Sequence, residues 1–197
     1  MSRMNRRPGL PLVRLSLILP FVRELDRMRV DADAVLAANG LVRNTVRDPD
    51  VFVPPFVIHR FLEDAAQAAD DPHLGARVGQ SLDAADWPPL VDAVASARTL
   101  AEFLMRFIRA AKDEASSARH ALESDSSFAV FREERTSPQE IDPAQNDAFP
   151  AAFTLELLRR AAGPSWDPGR VLLTVCEPSA LPDRFLSVHV ARGDRMG

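Results

Sequence analysis

Apolar residues recur at three- and four-residue steps through the first half of the chain, a period that predicts helices. Leu15, Ile18, Leu19, Val22 and Leu25 form one stripe from a start at Ser16, early enough for Pro20 to be tolerated. A short second helix runs from Asp31 to Asn39-Gly40, a dipeptide suited to a left-handed stop. RDPDVFVPP reads as a loop, and a third helix then sets Val57, Ile58, Phe61, Leu62 and Ala65 on one face. DPHLGARVGQSL predicts a brief fourth helix, with Asp71 as cap, Pro72 in the first turn, and Leu74, Val78 and Leu82 on one stripe. WPPLVDAVASA gives a fifth. Thr99 and Glu102 make a capping box for a sixth that carries Leu100, Phe103, Leu104, Phe107, Ile108 and Ala111.

Beyond this point the period falls to two. Residues 118–124 and 128–135 flank Asp125-Ser126-Ser127 and predict a hairpin. The proline- and acid-rich TSPQEIDPAQND leads into a long helix from about Ala148 to Ala162, closed by Gly163-Pro164. RVLLTVC is a strand, and SVHV a last one. Helices first and strands late give an α+β fold, a helix-rich N-terminal half packed against a mostly antiparallel sheet formed by the C-terminal half.

Composition changes this picture little but excludes several functions. With 197 residues, 46% hydrophobic and 26% charged, the chain is ordinary for a globular protein with a real core. A net charge of −4 argues against a non-specific grip on nucleic acid, and no segment reads as a helix-turn-helix with a basic recognition helix. Cys176 stands alone, so an internal disulfide and a thiolate metal site are excluded. The basic-then-apolar N-terminus is broken by Arg14 and lacks a cleavage site, and no run approaches the roughly 20 apolar residues of a membrane span. A cytoplasmic location is expected.

Catalytic motifs are missing as well. His59, His73, His120 and His189 have no helical metal-site spacing, so no metal and no cofactor are expected. No G-x-S-x-G elbow or H-E-x-x-H appears, and Glu133-Glu134 would point to opposite faces of a strand. GARVGQS at 75–81 superficially resembles a phosphate loop, but the spacing is one residue short and Gln80 stands where the lysine belongs. An enzyme is not expected.

Several segments in order carry a resemblance: LILPFVRELDRMRVDADAVLAANGL, FVPPFVIHRFLEDAAQAADDPHLGARVGQSL, ASARTLAEFLMRFIRAA and LLRRAAGPSWDPGRVLL. Together they resemble the N-terminal effector-binding, arabinose-binding-domain-like domain of AraC-type transcriptional regulators. The resemblance implies a small-molecule sensor and dimerisation unit over residues 15–197, behind a flexible segment 1–14. It also implies a C-terminal helix-turn-helix domain that binds DNA, and the chain stops at VARGDRMG where the family would continue, as a truncated regulator would. The partners it implies are a small-molecule effector and a second copy of the chain. DNA would be reached only through the missing domain. An interaction or dimerisation module without a ligand is the alternative. In this resemblance DPHLGARVGQSL is a structural turn of helix whose Gly75 and Gly79 admit a closely packed neighbour.

A sensor needs an apolar cleft with a few convergent polar groups. The candidate ligand contacts are His120, in phase with Leu122 on the hairpin; Arg132, in phase with Phe128 and Val130; Arg106, flanking the apolar stripe of its helix; and Trp87, ahead of Pro88-Pro89. The helix bearing Phe149, Phe153, Leu157 and Arg160 has more apolar residues than one face needs, which marks it as a dimer-contact candidate.

Overall fold

The computed structural model describes residues 10–83, 91, 97–136 and 143–193. Seven helices among these residues are α1 (Leu19–Arg27), α2 (Ala32–Ala38), α3 (Arg43–Arg47), α4 (Pro55–Ala68), α5 (Leu74–Ser81), α6 (Leu100–Glu114) and α7 (Ala144–Ala162). The strands are β1 (Val13–Arg14), β2 (Phe52–Val53), β3 (Ala118–Ser124), β4 (Ala129–Arg135), β5 (Leu172–Val175) and β6 (His189–Arg192). The fold is α+β, but its strands form three separate two-stranded ladders instead of one sheet. β1–β2 and β3–β4 are antiparallel, whereas β5–β6 is parallel. The fifth predicted helix and Trp87 fall largely outside the described residues, as do residues 1–9.

Local chemistry accounts for most helix ends. The Asp31 carboxylate caps α2 by accepting from the Ala34 N–H at 3.0 Å, and Gly40, at φ 68°, takes the left-handed turn that ends it. Thr99 caps α6 through the Glu102 N–H at 3.1 Å, while Glu102 reaches back to the Arg98 N–H at 2.8 Å. The region before α5 departs from expectation. Asp71 accepts from the His73 N–H at 3.0 Å and from Arg77 Nε at 2.7 Å, so it makes a turn and helix proper starts only at Leu74.

Helix α7 opens at Ala144, ahead of the expected Ala148, because its polar first turn is held by partners instead of water. Gln145 accepts from the Gly75 N–H at 2.7 Å and donates to the Pro72 carbonyl at 2.8 Å, and its own N–H donates to Glu63 at 2.8 Å. This clamp fixes α5 against α7 at very short range. A Cβ on Gly75 would run into the Gln145 carbonyl, and one on Gly79 into that of Phe149. The two glycines therefore serve packing, as the pattern suggested.

Two apolar cores meet at α7. One gathers Phe21, Leu25, Leu36, Phe61, Leu62, Leu74, Phe107, Phe149 and Phe153 among the helices; the other gathers Ala148, Ala151, Ala152 and Leu155 with Leu173, Val175, Leu181 and Phe185. The apolar surplus on this helix is thus spent inside the chain. Phe149 is 7% and Phe153 5% exposed, which removes both from the expected dimer-contact surface.

Candidate functional site

The larger core is not filled. A cavity of about 110 Å³ opens between the start of α1, α4, α6, the hairpin and α7. Leu17, Ile18, Phe21, Leu62, Phe107 and Phe149 supply most of its apolar wall. Its polar end is formed by His59, Glu114, His120, Glu133 and Arg135.

Hairpin register decides which groups enter. Asp125 accepts at Oδ1 from the N–H groups of Ser127, 2.6 Å, and Phe128, 3.1 Å, and its own N–H donates to the Phe128 carbonyl at 3.0 Å. Phe128 therefore belongs to the turn, and the ladder starts with Ser124 opposite Ala129. His120 pairs with Glu133 and Leu122 with Phe131. A turn of only Asp125-Ser126-Ser127 would have paired His120 with Arg132, and slipping by one residue reverses every side chain of β4. Arg132 is consequently on the outer face, where it bonds Glu123 at 3.0 Å and remains 37% exposed. Its expected inward placement is corrected, and Glu133 and Arg135 take the inward positions instead.

Of the other expected contacts, His120 lines the cavity and Arg106 is exposed outside its lining. The His120 ring stacks on Phe131 at 5.9 Å and meets the edge of Phe107 at 5.3 Å. Its Nε2 hydrogen-bonds Glu133 Oε2 at 3.1 Å. Burial pushes the Glu133 carboxyl pKa up, but the His120 bond and the nearby Arg135 charge outweigh that effect and hold it below the usual carboxylate value. Glu133 is ionised at neutral pH.

His59 and Glu114 complete the polar end, although sequence reasoning passed over both. His59 is 6% exposed, and burial together with the Arg135 charge lowers its pKa to about 4, so the ring is neutral. Its place was readable from its spacing to Leu62 and Ala66, three and seven residues on, which puts it on the buried side of α4. Glu114, the last residue of α6, pairs with Arg14 Nε at 2.7 Å; Arg14 also lies over the Phe52 ring at 4.6 Å. β1 is thereby tied to the end of α6, a join reinforced by the Ser116 N–H donating to the Leu12 carbonyl at 2.9 Å.

Arg135 connects this end to the second core. Its guanidinium pairs with Asp147, which is 1% exposed, and donates to Cys176 Sγ at 3.4 Å. Asp147 in turn accepts from the Cys176 N–H at 3.2 Å, next to β5. No cluster of three or more His, Cys, Asp or Glu suited to a metal occurs among the described residues, and none of their helices is long and apolar enough to cross a membrane.

A partly apolar cavity with a few convergent polar groups has the general form of a small-molecule site. The family model for the N-terminal arabinose-binding domain of the AraC transcription regulator matches residues 30–194. The chain belongs to this family. Comparison with individual curated proteins finds no match. The family is a regulatory ligand-binding domain and not a class of enzyme.

Proposed function

We propose that this chain is the effector-sensing unit of an AraC-type regulator, and that a small molecule in the cavity controls DNA binding by a C-terminal domain outside the chain. One observation carries the reading: the buried His59 and the ionised Glu133, whose side chain is 12% exposed, stand at the polar end of a cavity whose remaining wall is largely apolar. Burying such groups costs stability, and a module that only packed or dimerised would do better with apolar residues there. The polar end favours a sensor over the ligand-free interaction module for that reason. His120 is the proposed ligand contact among the expected residues, with Glu133 and His59 beside it.

Thermal unfolding against a library of metabolites tests this. A ligand present at a hundred times its dissociation constant stabilises by about 2.7 kcal/mol, or about 5–10 °C for a domain of this size. His120→Ala should abolish the shift and Arg132→Ala should retain it. Equal shifts in both variants would remove His120 from the site, and no shift from any compound would favour the interaction module.

The same reading makes the protein a cytoplasmic homodimer, since two-fold pairs are the commonest assembly. The exposed end of α7 around Arg160 remains available for contact after Phe149 and Phe153 are buried. Sedimentation showing monomer alone at tens of micromolar would count against the dimer.

A further inference from the structure

The polar end of the cavity has a definite sign. Glu114 is already matched by Arg14, and Arg135 by Asp147. The remaining Nε–H of Arg135 is buried within the protein. Glu133 is different. Its Oε2 is engaged by His120, while its Oε1 accepts no hydrogen bond from a described residue, although its side chain is only 12% exposed. His59, more than nine-tenths buried, likewise makes no hydrogen bond to a described residue and offers the cavity a neutral ring. A donor-bearing, positively charged head group would satisfy both.

Size and wall chemistry narrow the body of the ligand. A dry cavity of about 150 Å³ accepts benzene, and this one measures about 110 Å³. A short apolar body fits beside Leu17, Phe21, Phe107 and Phe149. A free pentose fits poorly, because it carries a hydroxyl on nearly every carbon and these walls would leave most of them without partners. A carboxylate ligand would meet the charge of Glu133, which is paired with the His120 ring and with no guanidinium among the described residues.

We infer that the cavity takes a small amine, a short aliphatic or small-ring body with one ammonium group that donates to Glu133 Oε1 and His59. This rests on the sensor reading and names the ligand class within it. The arrangement sets amine recognition against the family's sugar label: one acidic contact and apolar walls replace the many hydroxyl partners a sugar needs.

Isobutylamine, isobutanol and isobutyrate share a branched skeleton and separate the head groups. Thermal unfolding and calorimetric titration at neutral pH should rank the amine first, the alcohol second and the carboxylate last. At ten times its dissociation constant the amine should raise the melting temperature by about 3–6 °C. Glu133→Gln should reduce amine affinity by tenfold or more while leaving the alcohol nearly unchanged. The ranking is measured in the unaltered protein, so it decides the matter even if Glu133→Gln fails to fold. Tighter binding of the carboxylate, or an amine preference that survives Glu133→Gln, overturns the proposal. Absence of binding by all three also overturns the amine class, whereas a hit of different chemistry in the wider screen would leave the sensor reading standing.

Discussion

The two faces that α7 presents to α5 and to the hairpin side are built on opposite principles. Against α5 the backbones approach so closely that only glycine fits at positions 75 and 79. Toward α6 and the hairpin, Phe149 and Pro150 border a cavity of about 110 Å³ with ionised and neutral polar groups at its end. Close packing on one side makes a rigid base, since interiors at crystal-like density transmit displacement instead of absorbing it. The void on the other side is where a ligand can add contacts that the folded chain lacks. Arg135 joins the two regimes: it lines the cavity, and through Asp147 and the Cys176 N–H it reaches the second core beside β5.

The largest effect should follow from breaking the close side. Gly79→Ala would stabilise an exposed helix by about 1 kcal/mol through propensity alone. Here the added Cβ meets the Phe149 carbonyl and lies 3.0 Å from the Phe153 nitrogen, and neither backbone group can rotate away. A net loss of about 2–3 kcal/mol is expected from forcing the helices apart, read as a lower urea midpoint with little change in slope. Unchanged or increased stability would mean that α5 and α7 are not in close contact.

This close side was legible in the sequence, and the cavity side only in part. Two glycines four residues apart on one helix signal a near neighbour, whatever that neighbour is. The hairpin pattern showed which strands pair, but register depended on whether Phe128 belonged to the turn, and its apolar character suggested a strand residue. In the fold Phe128 is 61% exposed, and the Asp125 carboxylate sets the turn. That single position exchanged Arg132 for Glu133 and Arg135 at the site. The early start of α7 was hidden for a related reason: Gln145 and Asp147 resemble loop residues until their partners, Gly75 and Arg135, are brought in from distant sequence. The parallel β5–β6 pair was likewise set by the connection through 176–188 and not by strand composition.

Acid sharpens the comparison because it acts on the cavity side. The folded-state pKa of His59 is lowered to about 4, below the ordinary histidine value, so the unfolded chain binds the extra proton first as pH falls. Stability from this group is fully present above the unfolded value of about 6.5 and is lost as pH falls toward 4. Between pH 7 and 5 the loss should be about 2 kcal/mol. Glu133, with its pKa also lowered, contributes stability that disappears only below the usual carboxylate range. Urea titrations across pH should therefore show a fall between 7 and 5 in the native protein that His59→Phe flattens. A fall of the same size in that variant would place its origin elsewhere.

The smallest effect comes from filling the cavity, and its sign distinguishes the two faces of the molecule. Ala111 lines the cavity from α6 and is 7% exposed, so Ala111→Leu directs three further carbons into space that holds no protein atoms. Burial of each carbon is worth about 0.8 kcal/mol, offset by lost rotamer freedom of about 0.5–1 kcal/mol for leucine. A net gain of about 1.5 kcal/mol is expected, in contrast with the loss at Gly79, although both substitutions enlarge a small residue on a buried helix face. The same leucine should occupy the ligand's place, so any compound that stabilises the native protein should no longer shift the melting temperature. If Ala111→Leu destabilises as much as Gly79→Ala, the space between α6 and the hairpin is as closely packed as that between α5 and α7. If it stabilises while the ligand shift persists, the binding site lies outside this cavity, because one volume cannot hold the leucine side chain and the effector together.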